Sequence, residues 1–119
     1  MSVIDDEKML VDVGKQMLER LGYNVEIRMS SLEALELFRA KPEKFDLVIT
    51  DLTMPQMTGE KLAKELMEIR PNIPIILCTG YSEFISKENA KTMGIKAFVT
   101  KPIIYRDLAG TIRKILDEK

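Results

Sequence analysis

The chain is predicted to be an α/β protein built on an open, doubly wound parallel sheet of five strands in the order 2-1-3-4-5. Three observations carry that reading. Short β-type apolar runs alternate five times with longer runs of helical spacing. Two of the short runs centre on unbroken apolar stretches, Leu47-Val48-Ile49 and Ile75-Ile76-Leu77, as parallel strands covered on both faces require. The 119 residues suffice for one core and are about half of what a closed eight-fold barrel needs.

The β-type runs are 1–4, 23–29, 45–50, 73–78 and 97–100. The second alternates apolar and polar residues, Val25-Glu26-Ile27-Arg28-Met29, so it belongs at an edge with one wetted side. The first helical run places Leu10, Val13, Met17, Leu18 and Leu21 on one face and stops at Gly22. The second carries Leu35 and Phe38 and ends before Pro42. The third carries Leu62, Leu66 and Ile69 and ends at Arg70-Pro71, because proline disfavours helix in the residue before it. The fourth carries Ala90 and Met93 before Gly94, and the fifth carries Leu108, Ile112 and Ile115. Gly14 and Gly110 fall inside predicted helices, and the pattern assigns neither a role.

Composition excludes several function classes. The 18 Lys+Arg and 19 Asp+Glu leave a net charge of −1, without the basic excess expected of direct nucleic-acid binding. No apolar run approaches a membrane span, and no charged-then-apolar leader is visible, so the expected location is cytoplasmic. The single cysteine, Cys78, has no internal disulfide partner and reads as a small buried hydrophobe. Histidine is absent, which removes His-based zinc sites, Ser-His-Asp and Cys-His catalysis, and any phosphohistidine on this chain. Chemistry here falls to carboxylates, hydroxyls, lysines or a metal held by oxygen.

In an open α/β sheet, ligands bind beyond the carboxyl ends of the strands. The predicted strands deliver a consistent set there: Asp5-Asp6 after the first, Asp51 after the third, Thr79 after the fourth and Lys101 after the fifth. Taken singly, each has an ordinary reading: helix N-cap, turn residue or solvated lysine. Together they place three carboxylates, a hydroxyl and an ammonium on one rim. Crowded carboxylates favour a cation between them, and Mg²⁺ prefers one or two carboxylates with waters and phosphate oxygens. With such an ion bound, a carboxylate can attack phosphorus and form an acyl phosphate, with Lys101 and Thr79 as partners for its oxygens.

These residues closely resemble the receiver domain of two-component response regulators, across essentially the whole chain (1–119, read as a single domain). The carriers are Asp5-Asp6-Glu7, Asp51-Leu52-Thr53-Met54-Pro55 with Gly59, Thr79-Gly80, and Lys101-Pro102. The resemblance implies a flavodoxin-like (βα)5 sandwich that is a phospho-accepting regulatory domain rather than a turnover enzyme. It makes Asp51 the phospho-acceptor. Asp5, Asp6, Asp51 and the backbone carbonyl of Thr53 become the Mg²⁺ ligands, and Thr79 and Lys101 the phosphoryl partners. Phe98 matches the aromatic switch position that works with Thr79, while Thr53 and Tyr81 sit where the family tunes phosphoryl lifetime. Lys101-Pro102 matches a bond that is cis in the family. The implied donor is a histidine kinase or histidine phosphotransfer domain. The implied output surface is the face of the fourth helix, fifth strand and fifth helix. The Thr79-Gly80-Tyr81-Ser82-Glu83 run and the 50–57 segment look similar to receivers attached to sensor kinases.

Competing functions fit less well. A phosphatase of the aspartyl-phosphate kind carries a second Asp two residues after its nucleophile, where this chain has Thr53. A flavin-binding carrier on the same sheet wants a phosphate loop after the first strand, where Asp5-Asp6-Glu7 would repel phosphate. A scaffold that no longer receives phosphate has no reason to keep the acidic set.

Overall fold

The computed structural model describes residues 1–5, 8–51, 57–79, 94–100 and 105–117. In chain order the elements are β1 (Ser2–Ile4), α1 (Lys8–Arg20), β2 (Glu26–Arg28), α2 (Ser31–Ala40), β3 (Val48–Asp51), α3 (Gly59–Ile69), β4 (Ile75–Thr79), β5 (Ala97–Thr100) and a last helix (Tyr105–Asp117). All strand pairs are parallel, and the sheet order is β2-β1-β3-β4-β5, as the alternation of patterns predicts. The helical run expected around Ala90 and Met93 lies outside the described residues.

Strand alternation divides the core in two. Ile4, Val48, Ile75 and Leu77 point to one face and pack with Ala34, Leu35 and Phe38 of α2 and Leu62, Ala63 and Leu66 of α3. Val3, Ile49, Ile76 and Cys78 point to the other, against Val11 and Leu18 of α1 and Leu108, Ile112 and Ile115 of the last helix. Both faces are closed, which explains why the runs through β3 and β4 are continuously apolar. Ser2, a polar residue in an inner strand, is buried there, with its backbone paired to neighbours on both sides. Its strand is three residues long.

The inward face of α1 matches the expected one at Leu18 but departs from it at Val13 and Leu21. Val11 and Leu18 are fully buried and Gly14 is buried between them, whereas Val13 and Leu21 are 42% and 56% exposed. Residues seven apart lie on one stripe, and Val11 to Leu18 sets that stripe here. Choosing Val13 and Leu21 by hydrophobicity alone skips the glycine that completes it. The side chain of Leu10 lies outside the described set.

Strand bounds shift for identifiable reasons. β2 is shorter than the 23–29 run because residues after α1 are used to end that helix. Gly22 N–H donates to the Glu19 carbonyl at 3.0 Å and Tyr23 N–H to the Leu18 carbonyl at 3.2 Å, with Gly22 at φ +96°. This is a Schellman cap, and it requires a left-handed residue. β3 starts at Val48 rather than 45 because Phe45 is apolar for packing, not pairing. Its ring stacks on Phe38 with centroids 6.0 Å apart.

Polar contacts close the amino ends of the strands. Arg70, which caps α3, donates from Nη1 to the Pro42 carbonyl at 3.1 Å and to the Phe45 carbonyl, so one guanidinium ties α3 to the turn before β3. Lys44 Nζ lies 3.0 Å from Glu26 Oε1 and links the same turn to β2. The Lys44 hydrogen bond holds the Glu26 carboxyl below its ordinary value of 4.5.

Two predictions follow from these contacts. An added Cβ at Gly22 meets nothing within 4 Å, so its cost is conformational only. Gly22→Ala lowers unfolding free energy by about 1–2 kcal/mol, measured by urea denaturation. A carboxyl held below its unfolded value contributes stability above that value and loses it as pH falls. Lys44→Met therefore costs stability at about pH 7, by less than about 1 kcal/mol because the pair is partly exposed, and the gap to wild type closes at about pH 3.

Candidate functional site

The sheet brings its polar residues to the carboxyl-end rim. β1 pairs with β3 from Ser2↔Val48 to Ile4↔Thr50, so Asp5 and Asp51 follow at the same level on adjacent inner strands. The backbone of Asp5 remains extended, its N–H donating to the Arg28 carbonyl at 3.2 Å. The alternation that sends Val3 and Ile49 to the α1 face sends Asp5 and Asp51 the same way. Both are buried, at 5% and 4% exposure.

Carboxylates are almost never this buried without compensating interactions. Unit charges at the strand spacing of about 4.8 Å repel by about 3 kcal/mol at an effective dielectric of about 20. The pair therefore favours positive charge beside it. An all-oxygen pair in a histidine-free chain suits a hard divalent cation rather than zinc or copper. Among the described residues no three acidic or metal-ligating side chains gather at one point. Two other expected ligands, Asp6 and Thr53, lie outside the described residues.

Thr79 is the last residue of β4 and is buried at 3% exposure. It continues the alternation of Ile75 and Leu77, so it faces the α2–α3 side. Phe98 of β5 pairs in register with Leu77, two residues before Thr79, and packs against that same core. Thr79 and Phe98 thus share one face of neighbouring strands. Thr79 itself pairs with Thr100, the residue preceding Lys101. Lys101, Pro102 and Tyr81 lie outside the described residues.

Three features were not visible in the residue pattern. Cys78, read only as a core filler, is buried and pairs in register with Asp51, on the same face. Thr50, fully buried, donates from Oγ1 to the Asp51 carbonyl at 3.1 Å. Ser31, at the start of α2 and 1% exposed, donates from Oγ to the Met57 carbonyl at 2.8 Å. The in-line clue to Ser31 was the Ser30-Ser31 doublet, in which Ser30 caps α2 and the second hydroxyl is left for another task.

An open parallel sheet of this order, with acidic residues at the carboxyl ends of its inner strands, defines the flavodoxin-like class of single-sheet modules. The comparisons sharpen the class. A family model for the response regulator receiver domain matches residues 1–113. The chain is 31% identical over 117 residues to the sensor kinase CckA of Brucella abortus, covering 98% of this chain and 12% of that protein. It is 32% identical over 114 residues to the alkaline phosphatase synthesis regulatory protein PhoP of Bacillus subtilis, covering 96% of this chain and 47% of that one. Among solved structures, a response regulator receiver domain protein from Clostridium thermocellum superposes with a TM-score of 0.92 at 31% identity, covering 98% and 93% of the two chains. A CheY-like receiver from Methanospirillum hungatei gives 0.85 at 34% identity, covering 98% and 92%. The chain belongs to the response regulator receiver domain family, a module of two-component signalling. It spans less than half the length of these two curated relatives. Among the described residues no helix is long and apolar enough to cross a membrane.

Proposed function

We propose that this chain is the phospho-accepting domain of a phosphorelay, with Asp51 as the acceptor. The observation that carries the reading is the buried Asp51–Asp5 pair at the carboxyl ends of adjacent inner strands, in a chain of the receiver family. The donor is the phosphohistidine of a partner, a histidine kinase or histidine phosphotransfer domain, since this chain has no histidine. Sensor kinases among the relatives support that choice of partner and an origin in a hybrid kinase.

In the transfer, an Asp51 carboxylate oxygen attacks the phosphorus, the N–P bond to the partner imidazole breaks, and the imidazole leaves with its electron pair and takes up a proton. Asp51 is left as an acyl phosphate, which water later hydrolyses back to carboxylate and phosphate. Asp5, Asp6, Asp51 and the Thr53 carbonyl are the residues that would hold Mg²⁺, which when bound neutralises charge on the phosphoryl oxygens. Lys101 supplies a second positive charge to those oxygens, and the Thr79 hydroxyl donates to one of them. Thr53 and Tyr81, each two residues past a rim residue, set how readily water reaches the acyl phosphate.

The output is a population shift. A phosphoryl group that recruits the Thr79 hydroxyl changes the space beside Phe98, its neighbour on the same sheet face. That biases the surface formed by the fourth helix, β5 and the last helix, where a downstream protein docks. Such a domain acts in the cytoplasm and catalyses only its own phosphorylation and dephosphorylation.

Incubation with Mg²⁺ and acetyl phosphate, followed by intact-mass measurement, adds one phosphoryl group to the native chain. Asp51→Asn gains none, and chelation of the metal stops the reaction. A native chain that stays unmodified with several acyl and amido phosphates overturns the assignment. In the phosphorylated form, backbone amide signals over 80–110 shift while those of β2 stay in place. Identical spectra in the two states would refute the output mechanism.

A further inference from the structure

Among the described residues β2 is an end strand of the sheet, and its paired side fixes what its other side presents. Glu26 N–H donates to the Met1 carbonyl at 2.9 Å, and the Arg28 carbonyl accepts from Asp5 N–H at 3.2 Å. Residues 26 and 28 therefore turn their backbone groups toward β1. Successive residues of a strand turn these groups to opposite edges, so the N–H and carbonyl of Ile27 point away from the sheet. Arg28 covers that carbonyl, its Nη1 donating to Ile27 O at 2.6 Å. Glu26 stands beside it, with Oε1 held by Lys44 at 3.0 Å and Oε2 3.8 Å from the Arg28 Nη1. Three of the five exposed large hydrophobic side chains among the described residues flank this strand in sequence: Leu21, Met29 and Leu32.

The residues along this edge are complementary to themselves. A second copy laid antiparallel, with its Ile27 opposite Ile27, meets both outward groups as a closely hydrogen-bonded pair. Glu26 then falls opposite Arg28 of the other copy, and Arg28 opposite Glu26. These are the non-hydrogen-bonded positions, where facing side chains come nearest. Val25 falls opposite Met29, apolar against apolar. A parallel pairing of the same residues sets Glu26 against Glu26 and Arg28 against Arg28. Charges on an edge strand blunt indiscriminate pairing. Here they leave open a register in which opposite signs meet.

We propose that the outer edge of β2 is a homotypic docking surface: two copies of this chain join antiparallel through Ile27, with reciprocal Glu26–Arg28 pairs, into one continuous sheet. In the lone chain Arg28 occupies the Ile27 carbonyl. Pairing exchanges that contact for the Ile27 N–H of the second copy and frees the guanidinium to reach the Glu26 opposite. None of this depends on Asp51 accepting phosphate.

The test is sedimentation equilibrium of the intact chain over about a hundredfold range of concentration. Wild type is expected to rise from the mass of one chain toward that of two. Ile27→Pro removes the outward N–H without breaking a bond to β1, and proline is tolerated where an edge strand faces solvent. It is expected to stay monomeric while circular dichroism shows it folded. Arg28→Glu and Glu26→Arg each set like charges opposite one another and weaken association about tenfold. Combining the two exchanges restores association to near the wild-type value, which damage to the fold would not do. If Ile27→Pro does not fold, the charge exchange decides the matter. A wild type that stays monomeric throughout the range overturns the proposal. So does a dimer left unchanged by Ile27→Pro and by the single exchanges, since that dimer uses another face.

Discussion

The constraint on which this molecule depends is the closure of both faces of its parallel sheet. Inner strands packed between α1 and the last helix on one side and α2 and α3 on the other leave little room for polar side chains along their length. Among the described inner-strand residues, polar groups apart from the buried Thr50 are thereby confined to the strand ends. The two ends are used differently. Charged groups at the amino ends tie the turn before β3 to α3 through Arg70 and to β2 through Lys44, which is structural work at partly exposed positions. The carboxyl ends bury Asp5, Asp51 and Thr79, the residues to which the proposed phospho-accepting role falls.

Much of this was legible in the residues because each rule involved acts over short spans. The apolar runs through β3 and β4, the alternation of β2 and the glycine after α1 each report local geometry, and the sheet order is the common one for five such strands, with the alternating β2 at its edge. The positions of Asp5, Asp51 and Thr79 were legible because the point where a strand's apolar run stops can be read directly. The misread face of α1 has an equally local cause: Val13 and Leu21 outweigh Gly14 in any count of hydrophobicity, yet helical geometry puts Val11, Gly14 and Leu18 inside. Strand limits drifted where apolar residues serve packing alone, as at Phe45.

The Ser31–Met57 contact marks the limit of such reading. It joins residues 26 apart across two helices, and nothing in either neighbourhood announces the other. The register of Cys78 with Asp51 is of the same kind: adjacency across a ladder depends on how two strands align, which no property of either strand alone specifies. The acidic residues are written along the chain, whereas contacts such as these are written across it.

That register also gives the molecule a built-in reporter. Cys78 is the chain's sole cysteine, is 2% exposed, and stands beside the proposed acceptor in the middle of the sheet. A thiol reagent reaches it only when β3 and β4 part or the helix above them lifts. The rate of labelling therefore measures, without any engineered probe, how often the interior around Asp51 opens to solvent. A ligand that tightens the rim slows that rate in proportion to the opening it suppresses.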